Sequence, residues 1–568
     1  MTLRITLLLS MVLLNSCTSV DWEAPGTVDV SDELKSSPRY AQAKRFDALV
    51  QGRMGADELK AWNKECQTSK DVFCYTVARE KNLRSFLVRT ENKTTALWEK
   101  PEPIIPVFAK GRVQNWSTIQ KANLKGLLAG MRVFSAAELR SIGKFALARP
   151  ECPNNVAIAS AALLEVFLAS ENVAEEIAKL YEKGARCTRR GSANQEHYLT
   201  RASLFWIYLK QYAKAEKLLS KIVPADAFSG RAAYWLYRVR TQLGRKDAAK
   251  TALQKLKNLH PLSFHTLMLH AQEKTDPLGS AIEPLPHRSQ KRPGSNVLIE
   301  QAETLKEMGF IDSAAKITSW AFLVAPPLEA GVRAYLASLG DAPTQIRVLQ
   351  GVLLGKSALR TRPYYELAYP KAYFPIFESN SSDPYLLAAI ARKESHLDPR
   401  AVSPANAQGL LQLNPETAKR LSGQETPDLF NPKVNTALAS RYLSELRSQM
   451  RGQLALMIAA YNAGEQSVAT WTQRYPTSDP LLFVDLIPYR ETRDYVGFVM
   501  ANYYWYRRLY GDNPQAALIS LSGEEIARVE QPREIRSIPV ASEEAKPSPL
   551  PGEEAAPGTE ATSPDETL

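Results

Sequence analysis

The chain has 568 residues, of which 45% are apolar and 23% are charged. That length is too great for one hydrophobic core, so we expect two to four domains, and the composition is that of a soluble globular protein. The formal net charge of +11 favours an anionic partner. An acidic polymer, an anionic membrane and nucleic acid all satisfy this condition, and composition alone does not choose among them.

The first seventeen residues, MTLRITLLLSMVLLNSC, have the organisation of an export signal. Arg4 precedes an apolar run that ends near Leu14 and is too short to span a bilayer comfortably. The ending Leu-Asn-Ser-Cys resembles the bacterial lipobox, in which the cysteine is lipidated, although Asn15 replaces the usual small residue. We therefore predict a lipoprotein signal peptide at 1–16, a lipid anchor at Cys17 and a periplasmic, outer-membrane location. An ordinary signal peptide is the alternative.

Four further cysteines, Cys66, Cys74, Cys152 and Cys187, are an even number, which in an exported protein permits two disulfides. Sequence order suggests Cys66–Cys74 and Cys152–Cys187, but four cysteines allow three connectivities. The six histidines are scattered, without HExxH, HxH or CxxC motifs. We therefore predict no metal site and no cofactor.

The chain divides into segments of different character, and most of them have helical periodicity. Residues 17–45 are polar and are predicted to be a tether. Residues 46–286 carry a weak repeat, QYAKAEKLLSKI and RKDAAKTALQKL, 34 residues apart, which resembles tetratricopeptide-like helix pairs stacked in a superhelix. A helical linker domain at 287–367, a compact domain at 368–515 and a disordered acidic, proline-rich tail at 520–568 follow. The predicted fold is mainly α: an N-terminal helical solenoid followed by a compact C-terminal domain.

Glu394 is the candidate chemical group of the compact domain. A helix is predicted to begin at Asp383-Pro384 and to stop before Pro399, so that Glu394 lies in its last turn. The spacing places this carboxyl on the apolar face of Leu387, Ile390 and Ala391. Poor solvation and the negative end of the helix dipole would raise its pKa, as a general acid requires. A salt bridge to Arg392, Lys393 or a more distant arginine is the alternative.

Uncharged polar residues follow this glutamate. The stretch SPANAQGLLQLNPETA supplies Ser403, Gln408 and Gln412, and Gly409 allows close backbone approach. Such groups around one carboxyl suit a ligand rich in hydroxyls and amides. Tyr461 and Asn462 stand where a later helix ends and would face a cleft, unless they are a core tyrosine and a capping asparagine.

Taken together, these residues resemble the soluble-type lytic transglycosylases, whose catalytic domain has the fold of goose-type lysozyme. The family pattern occurs as Glu394-Ser395, Ser403 and AQGLLQ (407–412), followed by YNAG (461–464) and IPYRETRDYV (487–496). The N-terminal helices also resemble the superhelical ring of this family. Asn406, Leu411 and Asp485 depart from the pattern, in which Gly, Met and Glu are usual. The shorter Asp485 is expected to weaken a substrate contact.

The resemblance implies cleavage of the β-1,4 bond between N-acetylmuramic acid and N-acetylglucosamine in peptidoglycan, with 1,6-anhydromuramyl ends as product. Glu394 would be the single acid and base. The implied substrate contacts are Ser403, Gln408, Gly409, Leu411, Gln412, Tyr461, Asn462, Asp485 and Glu491, although Glu491 could instead be an N-terminal helix charge. Peptidoglycan strands are the expected partner, nucleic acid is not, and protein partners are unknown.

Two other functions stay open at this point. A hydrolytic muramidase on the same fold would need a second carboxylate, for which Asp485 and Glu491 are the candidates. A non-enzymatic adaptor would hold peptidoglycan without cleaving it.

Overall fold

The computed structural model describes residues 30–511, except 70, 82, 84–107, 110–111, 114–122, 133, 153–154, 168–171, 223–229, 279–294, 325–329, 356–358 and 476. Within these residues the chain is almost entirely helical, which confirms the prediction of a mainly α fold. None of the described helices has the length and apolar character needed to cross a membrane. The predicted signal peptide, Cys17 and the predicted tail lie outside the described residues.

The helices of the first half are mostly short. They are α1 (Asp32–Lys35), α2 (Pro38–Val50), α3 (Ala56–Glu65), α4 (Cys74–Val77), α5 (Leu124–Met131), α6 (Ala136–Ala148), α7 (Asn155–Leu164), α8 (Ala174–Arg186), α9 (Ala193–Tyr208), α10 (Tyr212–Leu219), α11 (Arg231–Gln242), α12 (Lys246–Leu259) and α13 (Phe264–Glu273). A 3₁₀ turn, Glu165–Phe167, follows α7. Two short strands, β1 (Phe108–Ala109) and β2 (Arg112–Val113), pair antiparallel, with Phe108 opposite Val113.

The second half continues in the same way and ends in the longest helix. Its helices are α14 (Ser295–Glu307), α15 (Ile311–Val324), α16 (Ala330–Ser338), α17 (Ala342–Gly355), α18 (Arg362–Ala368), α19 (Phe374–Asn380), α20 (Pro384–Glu394), α21 (Pro415–Ser422), α22 (Pro432–Gln449), α23 (Leu454–Ala463), α24 (Glu465–Arg474), α25 (Pro480–Leu486) and α26 (Arg490–Tyr510).

Helices α6 to α12 pack chiefly on their neighbours in sequence, as stacked helix pairs do. The two copies of the sequence repeat fall on α10 and α12, and their matching alanines, Ala215 and Ala249, are buried. A small side chain at these positions lets neighbouring helices approach closely. The disulfide Cys152–Cys187 joins the segment after α6 to the end of α8, and Cys66–Cys74 joins α3 to α4, which confirms the pairing suggested by sequence order.

The N-terminal part of the structure departs from the predicted tether and domain boundary. Residues 30–45 include α1 and most of α2, where Ala43 is buried and begins an apolar stripe that continues through Phe46 and Val50. This stripe packs on α14 and α15 rather than on the superhelix, with Phe46 and Ile317 in one core. The tether prediction is therefore wrong for residues 30–45, because their apolar positions are covered by helices more than 250 residues later in the chain.

Helix α26 is the centre of the C-terminal domain. It packs on α20 and α23 of that domain and on α13 of the superhelix. Its last turns carry an aromatic cluster in which the rings of Trp505 and Tyr365 stack at 4.1 Å between centroids. Consequently, α26 holds α20 and α23 in position relative to one another and to the superhelix.

Candidate functional site

Helix α20 delivers Glu394 as the sequence predicts. The side chain of Asp383 accepts a hydrogen bond from the amide of Leu386 at 3.3 Å, and Pro384 occupies the first turn. The helix ends at Glu394, after an apolar face that includes the buried Leu387 and Ile390. A helix that is anchored at both ends holds its terminal carboxyl at a fixed place.

Glu394 has a hydroxyl partner and no cationic one within the part of the chain that the structure describes. The hydroxyl of Tyr495, on α26, donates to Glu394 Oε1 at 2.6 Å. Arg392 is directed instead to the carbonyl of Ala368 at 3.1 Å and to Asn502 Oδ1 at 2.8 Å. Lys393 lies over the ring of Tyr495, 5.6 Å from its centroid. The alternative of an inert salt bridge is therefore wrong.

This environment raises the pKa of Glu394 to about 7. Burial is the main cause, since it penalises the ionised form. The hydrogen bond from Tyr495 and the charge of Lys393 act in the opposite direction, and the nearby charge of Glu491 adds to the increase. Glu394 nevertheless keeps part of its surface open to solvent. A carboxyl that is half protonated near neutral pH and open on one side can both donate and accept a proton.

The segment 401–413 forms a rigid loop beside this carboxyl. Ser395 Oγ donates to the carbonyl of Leu410 at 2.7 Å and so ties the loop to the end of α20. Gly409 has φ +78°, and a Cβ there would lie 2.0 Å from the carbonyl oxygen of Leu429 and 2.5 Å from Asn435 Nδ2. Only glycine permits this approach.

Asn435 is the side chain that organises the loop, and sequence analysis missed it. It is fully buried in α22, accepts from the amide of Leu411 at 2.8 Å, and donates to the carbonyls of Gln408 and Leu429 at 3.0 Å each. A buried asparagine that uses both ends of its amide in this way fixes the loop backbone. The available signal was an asparagine among the apolar positions of NPKVNTALASRYL, a stretch that does not show which partner the amide has.

The predicted contact residues of the loop are brought together, but several are engaged within it. Ser403 Oγ accepts from the amide of Ala407 at 3.0 Å. Gln412 Nε2 donates to the carbonyls of Ala401 and Gly409 at 2.9 and 2.8 Å. Gln408 Nε2 donates to Asn406 Oδ1 at 3.0 Å, and the Leu411 side chain is buried. These residues therefore shape the wall of the site at least as much as they present groups to a ligand.

Tyr461, Asn462 and Glu491 also lie at the site. The hydroxyl of Tyr461 donates to the carbonyl of Leu411 at 2.8 Å, and burial together with the charge of Glu394 raises its pKa well above the usual value. Asn462 Oδ1 accepts from Thr492 Oγ1 at 2.7 Å, which joins the end of α23 to α26. Glu491 is exposed in the first turn of α26, close enough for its charge to act on Glu394.

Asp485 does not belong to this site, and its predicted role as a substrate contact is wrong. It is completely buried, and its carboxylate accepts from Arg231 Nε and Trp235 Nε1 at 2.6 Å each and lies 2.8 Å from His265 Nε2. These three partners belong to α11 and α13 of the superhelix. Burial alone would raise the pKa of Asp485, but the contacts with His265 and Arg231 hold it well below the usual range. Its short side chain is fully enclosed at this junction.

Among the described residues, no group of three or more His, Cys, Asp and Glu side chains has the arrangement of a metal site.

A comparison with known families identifies the domain that carries the site. Residues 376–483 match the family described as "Transglycosylase SLT domain". We call this matched segment the SLT domain. Relatives include a Haemophilus influenzae protein named as a soluble lytic murein transglycosylase, 39% identical over 179 residues, and the soluble lytic murein transglycosylase of Escherichia coli, 34% identical over 163 residues. The matched segments cover 29% and 27% of this chain.

The chain spans only 29% and 25% of the length of the two relatives. The crystal structure of the 70 kDa soluble lytic transglycosylase from Escherichia coli aligns with 87% of this chain and 92% of its own, at 17% identity and a TM-score of 0.47. A similarity of that size supports no statement about the activity of this chain.

Proposed function

We propose that the protein is a lytic transglycosylase that cleaves the β-1,4 bond between N-acetylmuramic acid and N-acetylglucosamine in peptidoglycan and leaves 1,6-anhydromuramyl ends. The observation that carries the proposal is Glu394, a carboxyl without a cationic partner within the described part of the chain, whose pKa is about 7, inside the SLT domain. The names of the two relatives agree with this reaction.

The first step uses the protonated form of Glu394. The carboxylic acid gives its proton to the glycosidic oxygen, and the bond from that oxygen to C1 of the muramyl residue breaks. The N-acetyl group of the same residue stabilises the positive charge that develops at C1. Tyr495 positions the carboxyl through its 2.6 Å hydrogen bond and stabilises the carboxylate that the step leaves behind.

The second step uses the carboxylate. Glu394 takes the proton of the muramyl 6-hydroxyl, and the 6-oxygen forms a bond to C1. The proton count is restored, water is not consumed, and the product ends in a 1,6-anhydro ring. One carboxyl suffices because it acts first as acid and then as base, which requires a pKa near the working pH.

The loop 401–413 and the residues packed on it are proposed to hold the glycan. One wall of the site carries the polar atoms of Ser403, Gln408, Gln412 and Tyr461. The backbone behind this wall is held by Gly409, Leu411 and Asn462. The net charge of +11 agrees with a polymer whose lactyl and peptide carboxylates are anionic. The proposed location is the periplasm, with a lipid anchor at Cys17 that holds the protein to the outer membrane.

A hydrolytic muramidase is the second candidate function. Glu491 is exposed and acts on the pKa of Glu394, so it is the carboxylate that could activate a water. Asp485 is not a candidate for activating a water, because its side chain is fully buried.

The deciding experiment treats intact sacculi with the wild-type protein, Glu394→Gln and Glu491→Gln, and analyses the released fragments by mass spectrometry. We expect anhydromuramyl products from the wild type and from Glu491→Gln, and none from Glu394→Gln. Reducing muramyl ends that disappear in Glu491→Gln would establish hydrolysis instead. Binding of sacculi without release of fragments by the wild type would leave only an adaptor function.

A further inference from the structure

A cleft of about 980 Å³ opens between the superhelix and the segment that begins α25. Its lining comes from α9, α11 and α13 on one side and from residues 477–482 on the other. The described lining contains none of the residues placed above at the site of Glu394. A volume of this size is at the upper end of the range for ligand sites and has room for roughly three sugar rings.

Five aromatic rings line the cleft. Tyr234 and Trp235 are buried, and their rings meet edge to face with 5.5 Å between centroids. Tyr208, Tyr212 and Tyr237 are half-buried beside them. The faces of such rings pack on apolar groups, which include the C–H faces of sugars, while their polar ends stay available for hydrogen bonds.

The indole of Trp235 is held in place before any ligand arrives. Its Nε1 donates to Asp485 Oδ2 at 2.6 Å, and the guanidinium of Arg238 lies 5.1 Å from the ring centroid. Arg238 in turn pairs with Asp479 at 2.7 Å, and Asp479 accepts from two amides at the start of α25. Because a fixed ring loses little conformational entropy when a ligand packs on it, this part of the cleft is preorganised for binding.

Uncharged hydrogen-bonding groups accompany the rings. The side-chain amides of Gln242 and Gln272 are exposed at the cleft and form no hydrogen bond within the described chain. The hydroxyls of the three half-buried tyrosines are likewise open among the described residues. Arg238 and Asp479 neutralise one another, which leaves Lys210 as the remaining charge of the described lining.

A ligand that fits this lining has apolar faces bordered by hydroxyl and amide groups, and it carries little charge. Saccharides with N-acetyl groups have this chemistry, because their ring faces pack on aromatic side chains and their hydroxyl and acetamido groups exchange hydrogen bonds with amides and phenols. A proline-rich peptide also packs on aromatic grooves, but it lacks the many donors that the open glutamine oxygens could accept.

We propose that this cleft is a second, non-catalytic binding site for a chain of N-acetylated sugars. On a polymer of many connected strands, a second contact raises the local concentration of glycan around the protein. The inference goes beyond the proposed function, because a saccharide can bind in the cleft whether or not Glu394 cleaves one.

The mapping test irradiates the full chain, carrying Glu394→Gln, with a chitotetraose that bears a diazirine, and locates the labelled peptides by mass spectrometry. We expect label on α11 or residues 477–482, in addition to any label on the loop 401–413. An excess of unmodified chitotetraose should remove the label from the cleft. Label that is absent from the cleft overturns the proposal, as does cleft label that a proline-rich peptide removes and unmodified chitotetraose does not.

The affinity test measures cleft labelling as a function of probe concentration in Tyr237→Ala and Gln242→Ala. We expect each variant to weaken binding by about two- to tenfold. Gln242 is exposed, so its substitution tests the site without disturbing a core. Gln254→Ala is the matched control, since Gln254 is an exposed glutamine of α12 outside the cleft lining, and its labelling should equal that of the parent protein. Unchanged affinity in both cleft variants overturns the proposal.

Treatment of sacculi with the wild-type protein separates this inference from the proposed function. Label at the cleft from a protein that releases no fragments would refute the proposed function alone. Release of anhydromuramyl products by a protein without label at the cleft would overturn this inference alone.

Discussion

The hydrogen bond between Tyr495 and Glu394 makes a prediction about the pH dependence of activity. Tyr495→Phe removes the hydroxyl that donates to Oε1 at 2.6 Å and leaves the ring in place. That bond favours the ionised carboxyl, so its loss raises the pKa of Glu394 above the wild-type value of about 7. A hydrogen bond to a charged group contributes about 1.5 kcal/mol or more, and about 1.4 kcal/mol corresponds to one pH unit, so we expect an increase of roughly one unit.

The measurement is kcat/KM for soluble glycan strands as a function of pH, which reports the groups of the free enzyme. In the wild type, activity should fall as the pH rises through about 7, because the general acid loses its proton. In Tyr495→Phe this fall should occur roughly one unit higher. The lost positioning lowers the maximum as well, but only the change in pKa moves the alkaline limb.

Tyr506→Phe is the control for this experiment. Tyr506 lies on the same helix and donates to the neutral carbonyl of Pro370 at 3.2 Å, so its removal should leave the alkaline limb in place. An alkaline limb that stays near 7 in Tyr495→Phe, or that moves to lower pH, would refute the assignment of Glu394 as the acid whose pKa Tyr495 lowers.

Three further predictions concern stability, and urea denaturation tests each of them. Gly409→Ala should lower the free energy of unfolding by about 3 kcal/mol, because the added Cβ meets the Leu429 carbonyl. The control Gly423→Ala, at a glycine with a similar φ and open space around it, should lower it by about 1 kcal/mol. Equal losses in the two variants would contradict the steric explanation. Asp485→Asn should cost about 3 kcal/mol, because it removes a fully buried carboxylate that accepts from Trp235 and leaves Arg231 with Asp494 as its carboxylate partner among the described residues; a loss below 1 kcal/mol would show the pair to be dispensable. Glu394 has a folded-state pKa above its ordinary value of 4.5, so the unfolded chain releases this proton first and wild-type stability falls between pH 4.5 and about 7. Relative to Glu394→Gln, this loss should reach about 2–3 kcal/mol, and parallel pH profiles would argue against it.

Local patterns predicted the candidate acid because its position depends on nearby residues. Asp383 and Pro384 start α20, the apolar period continues to Glu394, and the helix ends there. The distance along the chain from cap to carboxyl is eleven residues, and each step is governed by short-range geometry. The same holds for Gly464, which ends α23 with φ +80°.

Contacts between distant segments could not be read from such patterns. Asp485 occupies a motif position that suggests a ligand, yet its partners lie about 220 to 254 residues earlier in the chain. Asn435 gives no sign in its own helix that its amide holds a loop 24 residues away. Tyr495 lies in the motif IPYRETRDYV, but the motif does not distinguish a tyrosine that packs from one that donates to a carboxyl. In each case the deciding partner belongs to another element.

The raised pKa of Glu394 requires that α20 keep the guanidinium of Arg392 away from this carboxyl. A helix advances 100° per residue, so Arg392 and Glu394 point about 200° apart, to opposite sides of the last turn. Arg392 turns to the carbonyl of Ala368 and to Asn502, and Glu394 turns to the hydroxyl of Tyr495. An arginine within a few ångströms would lower the pKa of a carboxyl by about one to three units and leave it ionised at neutral pH. The two-residue offset therefore allows an acid that must keep its proton and a buried arginine to share one helix end, with Tyr495 as the hydrogen-bond donor to the carboxyl among the described residues.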